Sequence, residues 1–576
     1  MRHKKKADNA YLGALRGLRG TFVLVALFSA AINLLMLTGP VYMLQVYDRV
    51  LSSGSVATLV GLFGIVILLY AFLGLYDFLR ARVLSRAALR LDANVGEEAF
   101  RFALRAGSTG TQTRLDPGIQ PVRDLELIRN FMSSPAMSGL FDLPWMPLFL
   151  GLVFLIHPWL GLLTLAGASV VVVSALLNQY LAQKSIHQAM SIEGAERNLV
   201  EQARSDAETL HALGMRERLI KRWRETHNAA LATGQVGGDR SECFSSFSKS
   251  FRLLLQSALL TLGAYLALQQ QITAGMIIAT SIIAGRALAP VDQVIGQWRG
   301  IGRAREAHQR LREIFDHAPA EKPRVELPAP KGDLRVVSLT KLAPAGSETQ
   351  PDRTRILDKI DFSLSAGDGL GVVGNSAAGK STLARVLIGA WAPDAGEVRL
   401  DDATLDQWTP EVLGRHVGYL PQSLQMLSGS IGENIARFDP EAKDADIIEA
   451  ARIAGVHEMI LGMPDGYATQ LDRTSCRLSG GQIQRLGLAR AVYGDPHLIV
   501  LDEPNSNLDA AGDDALANAV RTMREKGCLV IVMAHRPSAL ASVNKILLLH
   551  KGRMGRFGDK DEVLYGKARP MSVVGQ

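Results

Sequence analysis

Over roughly the first 300 residues, long uncharged runs alternate with arginine-rich stretches. Beyond them the pattern shifts to short apolar runs separated by polar ones. Thr21–Val46 carries no charge over about 26 residues, and a helix rising about 1.5 Å per residue needs only about 20 to cross the roughly 30 Å hydrocarbon layer. A link holding Asp48 and Arg49 leads to a second uncharged run, Val56–Tyr76. The stretch from Leu143 to Tyr180 is too long for one upright crossing. His157-Pro158-Trp159 supplies a breaker and an interfacial aromatic, so it divides into helices three and four, with helix three starting near Pro135. Leu253–Leu268 and Ile272 to about Val294 complete six predicted spans, with Gln269-Gln270-Gln271 at the turn between them.

Charge placement fixes the orientation. Residues 1–20 hold Arg2, Lys4, Lys5, Lys6, Arg16 and Arg19, the stretch 80–135 holds nine arginines, and 181–252 is also basic, whereas Arg49 is the one basic residue in the three opposite turns. Both ends of this half therefore face the cytoplasm. Apolar positions at Ala87, Leu91, Val95, Phe100 and Leu104 keep helical spacing among charges, so the spans are expected to run on into the cytoplasm and to turn back near 110–125 and 206–215. Two ionisable residues fall at or inside spans, Asp142 and Arg286. Each is expected to face the bundle interior, a hydrated path or a partner charge. Pro290 is expected to bend the last span.

Composition agrees with a membrane half and a soluble half in one chain of 576 residues, 48% of them hydrophobic and 21% charged, with a mean hydropathy of +0.12. The net charge of +7 belongs mostly to segments flanking apolar runs, where basic residues meet membrane lipids, so nucleic acid is not expected as a partner. Cys243, Cys476 and Cys528 have neither metal-ligand nor disulfide-framework spacing. The expected divisions are a basic cytoplasmic N-terminus (1–20), a six-helix membrane domain with cytoplasmic extensions (21–300), a stalk and linker (301–330), a soluble α/β domain (331–565) and a tail (566–576).

In the soluble half, the apolar strand Leu370–Val373 meets the loop Gly374-Asn375-Ser376-Ala377-Ala378-Gly379-Lys380-Ser381-Thr382 and then a helical run. That is the order a phosphate-binding loop requires. Its glycines let backbone N–H groups wrap phosphate oxygens, Lys380 reaches the β and γ phosphates of ATP, and Ser381 can ligate Mg²⁺. A second apolar strand ends at Asp502-Glu503. Asp502 is suited to hold Mg²⁺ and Glu503 to orient or deprotonate the attacking water.

With LSGGQ at Leu478–Gln482, this half resembles the nucleotide-binding domain of an ATP-binding-cassette (ABC) transporter. The resemblance implies an α-helical six-span transmembrane domain of the ABC exporter type, followed by an α/β P-loop nucleotide-binding domain with a helical subdomain. It implies a metal-linked Q-loop glutamine at Gln422, a D-loop ending at Asp509 and a switch histidine at His535. Ser479, Gly480, Gly481 and Gln482 are then expected to meet ATP held by Lys380 of a second copy. The aromatic that often stacks on adenine is missing from VVSLTKLAPAG, where Leu342 or Pro344 offers an apolar surface instead.

Within exporters, GPVYMLQVYDRVLSSGS (39–55), FDLPWMP (141–147), GRALAPVDQ (285–293) and IGENIARF (431–438) resemble the inner-membrane permease and ATPase of bacterial type I protein secretion. That resemblance implies a homodimer, a periplasmic adaptor, an outer-membrane channel and polypeptide cargo with an uncleaved C-terminal signal. The rival expectation is an exporter of lipid, peptide or hydrophobic small molecules.

Overall fold

The computed structural model describes residues 9–108, 120–317, 327–343, 354–471, 478–534 and 536–565. The chain divides into two compact units, a helical one within residues 1–320 and an α/β one from Glu321 onward. Among the described residues, six helical segments of the first are long and apolar enough to cross a membrane.

The first crossing is broken. α1 (Ala10–Gly17) and α2 (Arg19–Leu35) lead to a turn at Met36–Leu37, then α3 (Thr38–Gln45), a π-helical turn at Val46–Val50 and α4 (Leu51–Ser53), where Gly54 at φ +64° ends it. Pro40 lies in α3 and has no N–H for the Met36 carbonyl, which accounts for a break that uncharged composition alone did not reveal. α5 (Val56–Ser108) is one helix of 53 residues, so the second span does run on beyond the bilayer.

After α6 (Pro121–Met132), the third crossing starts at Pro135 as expected. It comprises α7 (Pro135–Asp142), a 3₁₀ turn at Leu143–Trp145 and α8 (Met146–Ile156). α9 (Pro158–Ser205) begins with Pro158 in its first turn, where the missing N–H costs nothing. A short α10 (Ala207–Ala212) and Gly214 at φ +61° reverse the chain inside the expected 206–215 window. α11 (Arg216–Leu268), α12 (Ala274–Gly296) and α13 (Trp298–His317) follow, and the glutamine turn separates α11 from α12. The other expected turn falls largely on residues 109–119, outside the described ones.

Specific polar contacts hold this unit together. Asp48 accepts from Thr273 Oγ1 (2.6 Å) and from the Gly275 backbone N–H (3.0 Å), tying the first outer turn to the start of α12. Asp142 is buried, and Arg80 of α5 donates to both its oxygens at 2.9 and 3.0 Å; Asn33 of α2 adds a bond of 2.9 Å. Three crossings thus meet at one ion pair. Arg252 and Ser248 of α11 likewise hold Asp292 of α12, each at 2.6 Å. Arg286 is instead exposed and has no ion pair among the described residues. At the cytoplasmic end, buried Tyr11 of α1 bonds His308 of α13 (2.6 Å), and Arg310 of α13 grips Asp124 of α6 with two bonds.

The described residues of the second unit form three sheets. β1 (Leu334–Leu342), β2 (Arg355–Leu364), β4 (Ala395–Leu400) and β5 (Ala403–Thr404) form an antiparallel sheet in the order β2-β1-β4-β5. β3 (Gly369–Val373), β6 (Val417–Leu420), β9 (Leu498–Asp502), β10 (Leu529–Ala534), β11 (Lys545–His550) and β12 (Arg553–Asp559) form a six-stranded sheet in the order β12-β11-β3-β10-β9-β6, parallel except for β12. Every residue of β9 and β10 is buried, as expected for parallel strands covered on both faces. α14 (Lys380–Leu387) packs on β9, and α15 (Pro410–His416) precedes β6.

The helical subdomain holds α16 (Ile431–Ile435), α17 (Asp444–Ile453) and α18 (His457–Leu461), flanked by the small ladder β7 (Gly429–Ser430) and β8 (Gln470–Leu471). α16 and α17 pack on α19 (Gly480–Val492), and α20 (Ala510–Glu525) and α21 (Lys560–Tyr565) complete the unit.

Candidate functional site at the carboxyl edge of the parallel sheet

Strand register gathers the site. Val373, the last residue of β3, pairs with Ala534, the last of β10, while Asp502 at the end of β9 pairs with Met533. The phosphate loop, the acidic pair and the segment leading to His535 therefore leave the sheet along one edge, where ligands of such sheets bind. His535 itself lies outside the described residues.

The loop Gly374–Gly379 turns tightly into α14, with Ala377 at φ +63° and Gly379 at φ +100°. A Cβ on Gly379 would lie 3.0 Å from the Ile356 carbonyl oxygen, so glycine is required there by both conformation and space. Asn375, Ser376, Ala378 and Thr382 complete the wrap and first turn. Lys380 is 5% exposed, and its Nζ donates to the carbonyls of Gly374 (2.8 Å) and Asn375 (3.2 Å). Burial lowers the lysine's pKa while Glu503 and Asp502 pull it upward. A cation bonded to carbonyls of its own loop can exchange them for phosphate oxygens without unfolding anything.

Ser381 Oγ donates to Asp502 Oδ1 at 3.2 Å. Asp502 is almost wholly buried. Burial raises its pKa and Glu503 adds to the rise, while the Ser381 bond, Arg385 and Lys380 oppose it. A hydroxyl and a buried carboxylate side by side, with cationic neighbours, match the oxygen donors a hard divalent cation takes. Gln422 Nε2 donates to Glu503 Oε2 at 2.9 Å, so two residues 81 apart in sequence meet as expected for one site.

Glu503 sits at φ +51°, a left-handed conformation uncommon for its type, with its N–H on the Met533 carbonyl at 3.0 Å. What holds that turn is a residue that belongs to none of the motifs above. Gln484, buried in α19, donates to the Glu503 carbonyl (3.2 Å) and to Ser506 Oγ (3.3 Å) and accepts from the Asn507 N–H (3.0 Å). An amide on the apolar face of a helix was the signal available.

The LSGGQ segment begins α19. Ser479 and Gln482 form a capping box, Ser479 Oγ accepting from the Gln482 N–H (3.3 Å) and Gln482 Oε1 from the Ser479 N–H (2.8 Å). Gly480 lies beside the Asn507 side chain, and a Cβ on Gly481 would come within 2.9 Å of the Asn507 carbonyl oxygen, so the glycines admit the chain that follows Glu503. Asp509 caps α20, accepting from the Gly512 N–H at 2.8 Å. Among the described residues no hydrogen bond joins the LSGGQ segment to the phosphate loop. Leu342 closes β1, whereas Pro344 lies outside the described residues.

Arg437 was also missed. All three of its guanidinium nitrogens donate to backbone carbonyls, those of Arg490, Ala491 and Tyr493 at the end of α19 and of Gly414 and Val417 beside β6, which locks the helical subdomain to the sheet strand leading to Gln422. Burial, with Arg490 nearby, lowers its pKa to about 10.

Comparison with known proteins agrees with this geometry. Residues 357–506 match the family model "ABC transporter", and residues 22–288 match "ABC transporter transmembrane region". The chain is 41% identical over 570 residues to the type I secretion system ATP-binding protein PrsD of Rhizobium meliloti (strain 1021), covering 99% of this chain and 96% of that protein. It is 26% identical to the exotoxin translocation ATP-binding protein PaxB of Pasteurella aerogenes, over 97% of this chain and 78% of the relative. A solved bacterial Atm1-family ABC exporter with ATP bound shares the fold, with a TM-score of 0.78 and 21% identity over 95% of this chain and 96% of that one. The chain thus belongs to the ABC transporter family, as an ATP-hydrolysing multi-pass exporter of the bacterial inner membrane, with its ATPase domain in the cytoplasm, closely related to type I secretion system ATP-binding proteins.

Proposed function

We propose that two copies of this chain export a polypeptide bearing an uncleaved C-terminal signal, working with a periplasmic adaptor and an outer-membrane channel. The supporting observation is identity with a type I secretion ATP-binding protein along nearly the whole chain, membrane half included.

In this reading Lys380 leaves its loop carbonyls for the phosphates of ATP, which the backbone of Gly374–Gly379 and the start of α14 cradle. Ser381, Asp502 and Gln422 hold Mg²⁺, which when bound offsets charge on the phosphate oxygens. Glu503 orients the attacking water, with Gln422 fixing its carboxylate and Gln484 its backbone. His535 bonds the γ-phosphate from the end of β10. Ser479, Gly480, Gly481 and Gln482 of one copy close over ATP held by the other, with Asp509 placing the chain between. Closure then biases the membrane helices between two arrangements, and hydrolysis resets them.

Glu503→Gln keeps the residue's size and one oxygen able to accept from Gln422 but removes the charge that activates water. Turnover is expected to fall about 10²–10³-fold with ATP binding retained, and one defined polypeptide should vanish from the exported proteins of cells carrying the variant. Unchanged turnover overturns the assigned role. An unchanged set of exported proteins, with efflux of lipid or small hydrophobic compounds lost instead, replaces the cargo class with the rival one.

A further inference from the structure

The last span carries a charge with no ion pair among the described residues. Among the described residues α12 is the most enclosed of the six spans, with 56% of its apolar stretch buried against 6% for the span in α5. Yet Arg286 is exposed, while Ala287, Leu288, Ile283 and Ala279 around it are buried. Counted from Ala274, it stands roughly 18 Å into a layer about 30 Å thick.

Carboxylates at or near the spans are engaged elsewhere: Asp48 with Thr273 and Gly275, Asp77 and Asp142 with Arg80, and Asp292 with Arg252 and Ser248. Pro290 has no N–H for the Arg286 carbonyl, and Gln293, two turns on, is also exposed. Arg286 and Gln293, two turns apart, thus lie exposed on one side of a helix whose other residues nearby are largely buried. Hydrocarbon is a costly neighbour for that side. A second copy contributes the same four carboxylates, each already hydrogen-bonded within its own chain, and a second Arg286.

We infer that Arg286 lines a water-filled path through the span region and engages carboxylates of an acidic stretch of the polypeptide in transit, an inference that rests on the polypeptide-export reading. Guanidinium pairs with carboxylates through two parallel hydrogen bonds, while an extended chain passing through needs only transient contact.

Two measurements on reconstituted full-length protein test it. In a background where Cys243, Cys476 and Cys528 are serine, Arg286→Cys is expected to react with a charged, water-soluble methanethiosulfonate; reaction with a lipid-soluble maleimide alone overturns the path. ATPase stimulation is then compared for polyglutamate and polyglutamine peptides of about 30 residues, a length sufficient to span the bilayer when extended. Arg286→Gln is expected to leave the basal rate unchanged and to raise the half-saturating polyglutamate concentration roughly tenfold, with Arg286→Lys recovering most of the response. Equal responses of wild type to the two peptides, or of wild type and Arg286→Gln to polyglutamate, overturn the role of Arg286 alone. A wild type stimulated by phospholipid vesicles and by neither peptide overturns the polypeptide reading together with it.

Discussion

Arg80 in the membrane unit and Lys380 in the ATPase unit are long cations buried to nearly the same extent, 6% and 5% exposed. Arg80 faces carboxylates, Asp142 at 2.9 Å and Asp77 at 2.7 Å, with Ser29 at 3.1 Å. Lys380 donates to two carbonyls of its own loop, and the carboxylates of Glu503 and Asp502 act on it from nearby. A directly bonded carboxylate cancels a charge and makes the contact permanent, whereas carbonyls in direct contact solvate it and can give way to an incoming anion. The same division runs through both units. Asp292 and Asp124 are pinned by arginines, while Ser479, Gln482 and Gln422 are held by contacts that a phosphate or a metal ion can replace with little disturbance.

The largest stability effect should come from breaking the permanent kind. Asp142→Ala leaves the Arg80 guanidinium buried with its main partner gone, at an expected cost of about 3–5 kcal/mol. Thermal unfolding of the purified protein in detergent measures it. Replacing both residues together, Arg80→Met with Asp142→Leu, should recover most of that loss, because no uncompensated charge remains. If the single variant unfolds like wild type, the ion pair is not what joins α2, α5 and α7, and the distinction between the two units collapses.

Ser479→Ala tests the exchangeable kind. Loss of the helix cap is worth about 1 kcal/mol of stability, yet turnover should fall about 100-fold if the hydroxyl is also needed at the phosphate, as removal of one donor to a reacting oxygen typically does. Comparing ATPase rate with thermal midpoint separates the two roles. A rate that drops only in step with the folded fraction would leave Ser479 as a cap and nothing more.

The membrane unit's outline was legible because hydrocarbon imposes length and composition on any helix that crosses it. That is why Pro135, His157-Pro158 and the three glutamines marked true boundaries. Its internal bonds were not legible. Arg80 read as one of nine cytoplasmic arginines, and nothing local says that it reaches Asp142, 62 residues on. Arg286 was expected at an interior, a hydrated path or a partner charge, and the structure rules out a partner charge among the described residues.

In the ATPase unit the chemistry was legible instead, since a phosphate loop is a contiguous backbone device. The residues that support it were hidden. Gln484 and Arg437 act on carbonyls from distant segments, and backbone carbonyls carry no sequence signature. Tyr11 likewise passed as part of a basic leader, although it is wholly buried against α13.

A third kind of contact lies between the permanent and the exchangeable, and it gives the smallest effect. Tyr11 and His308 are joined at 2.6 Å as neutral groups. Burial, with Arg312 adding to it, holds the His308 pKa below its ordinary 6.5, so the imidazole stays neutral and keeps its bond to the phenol. Because the folded His308 binds a proton less readily than the unfolded chain does, stability is intact above the ordinary histidine value and declines as pH falls through it. The α1–α13 contact should therefore loosen between about pH 7.5 and about pH 5.5, seen as faster amide exchange in α1. His308→Gln, which can accept from Tyr11 at any pH in that range, should flatten the profile. If the acid-induced loosening persists in His308→Gln, the pH response belongs to another group. The Tyr11 bond then stands with Arg80 among contacts that solution conditions do not switch.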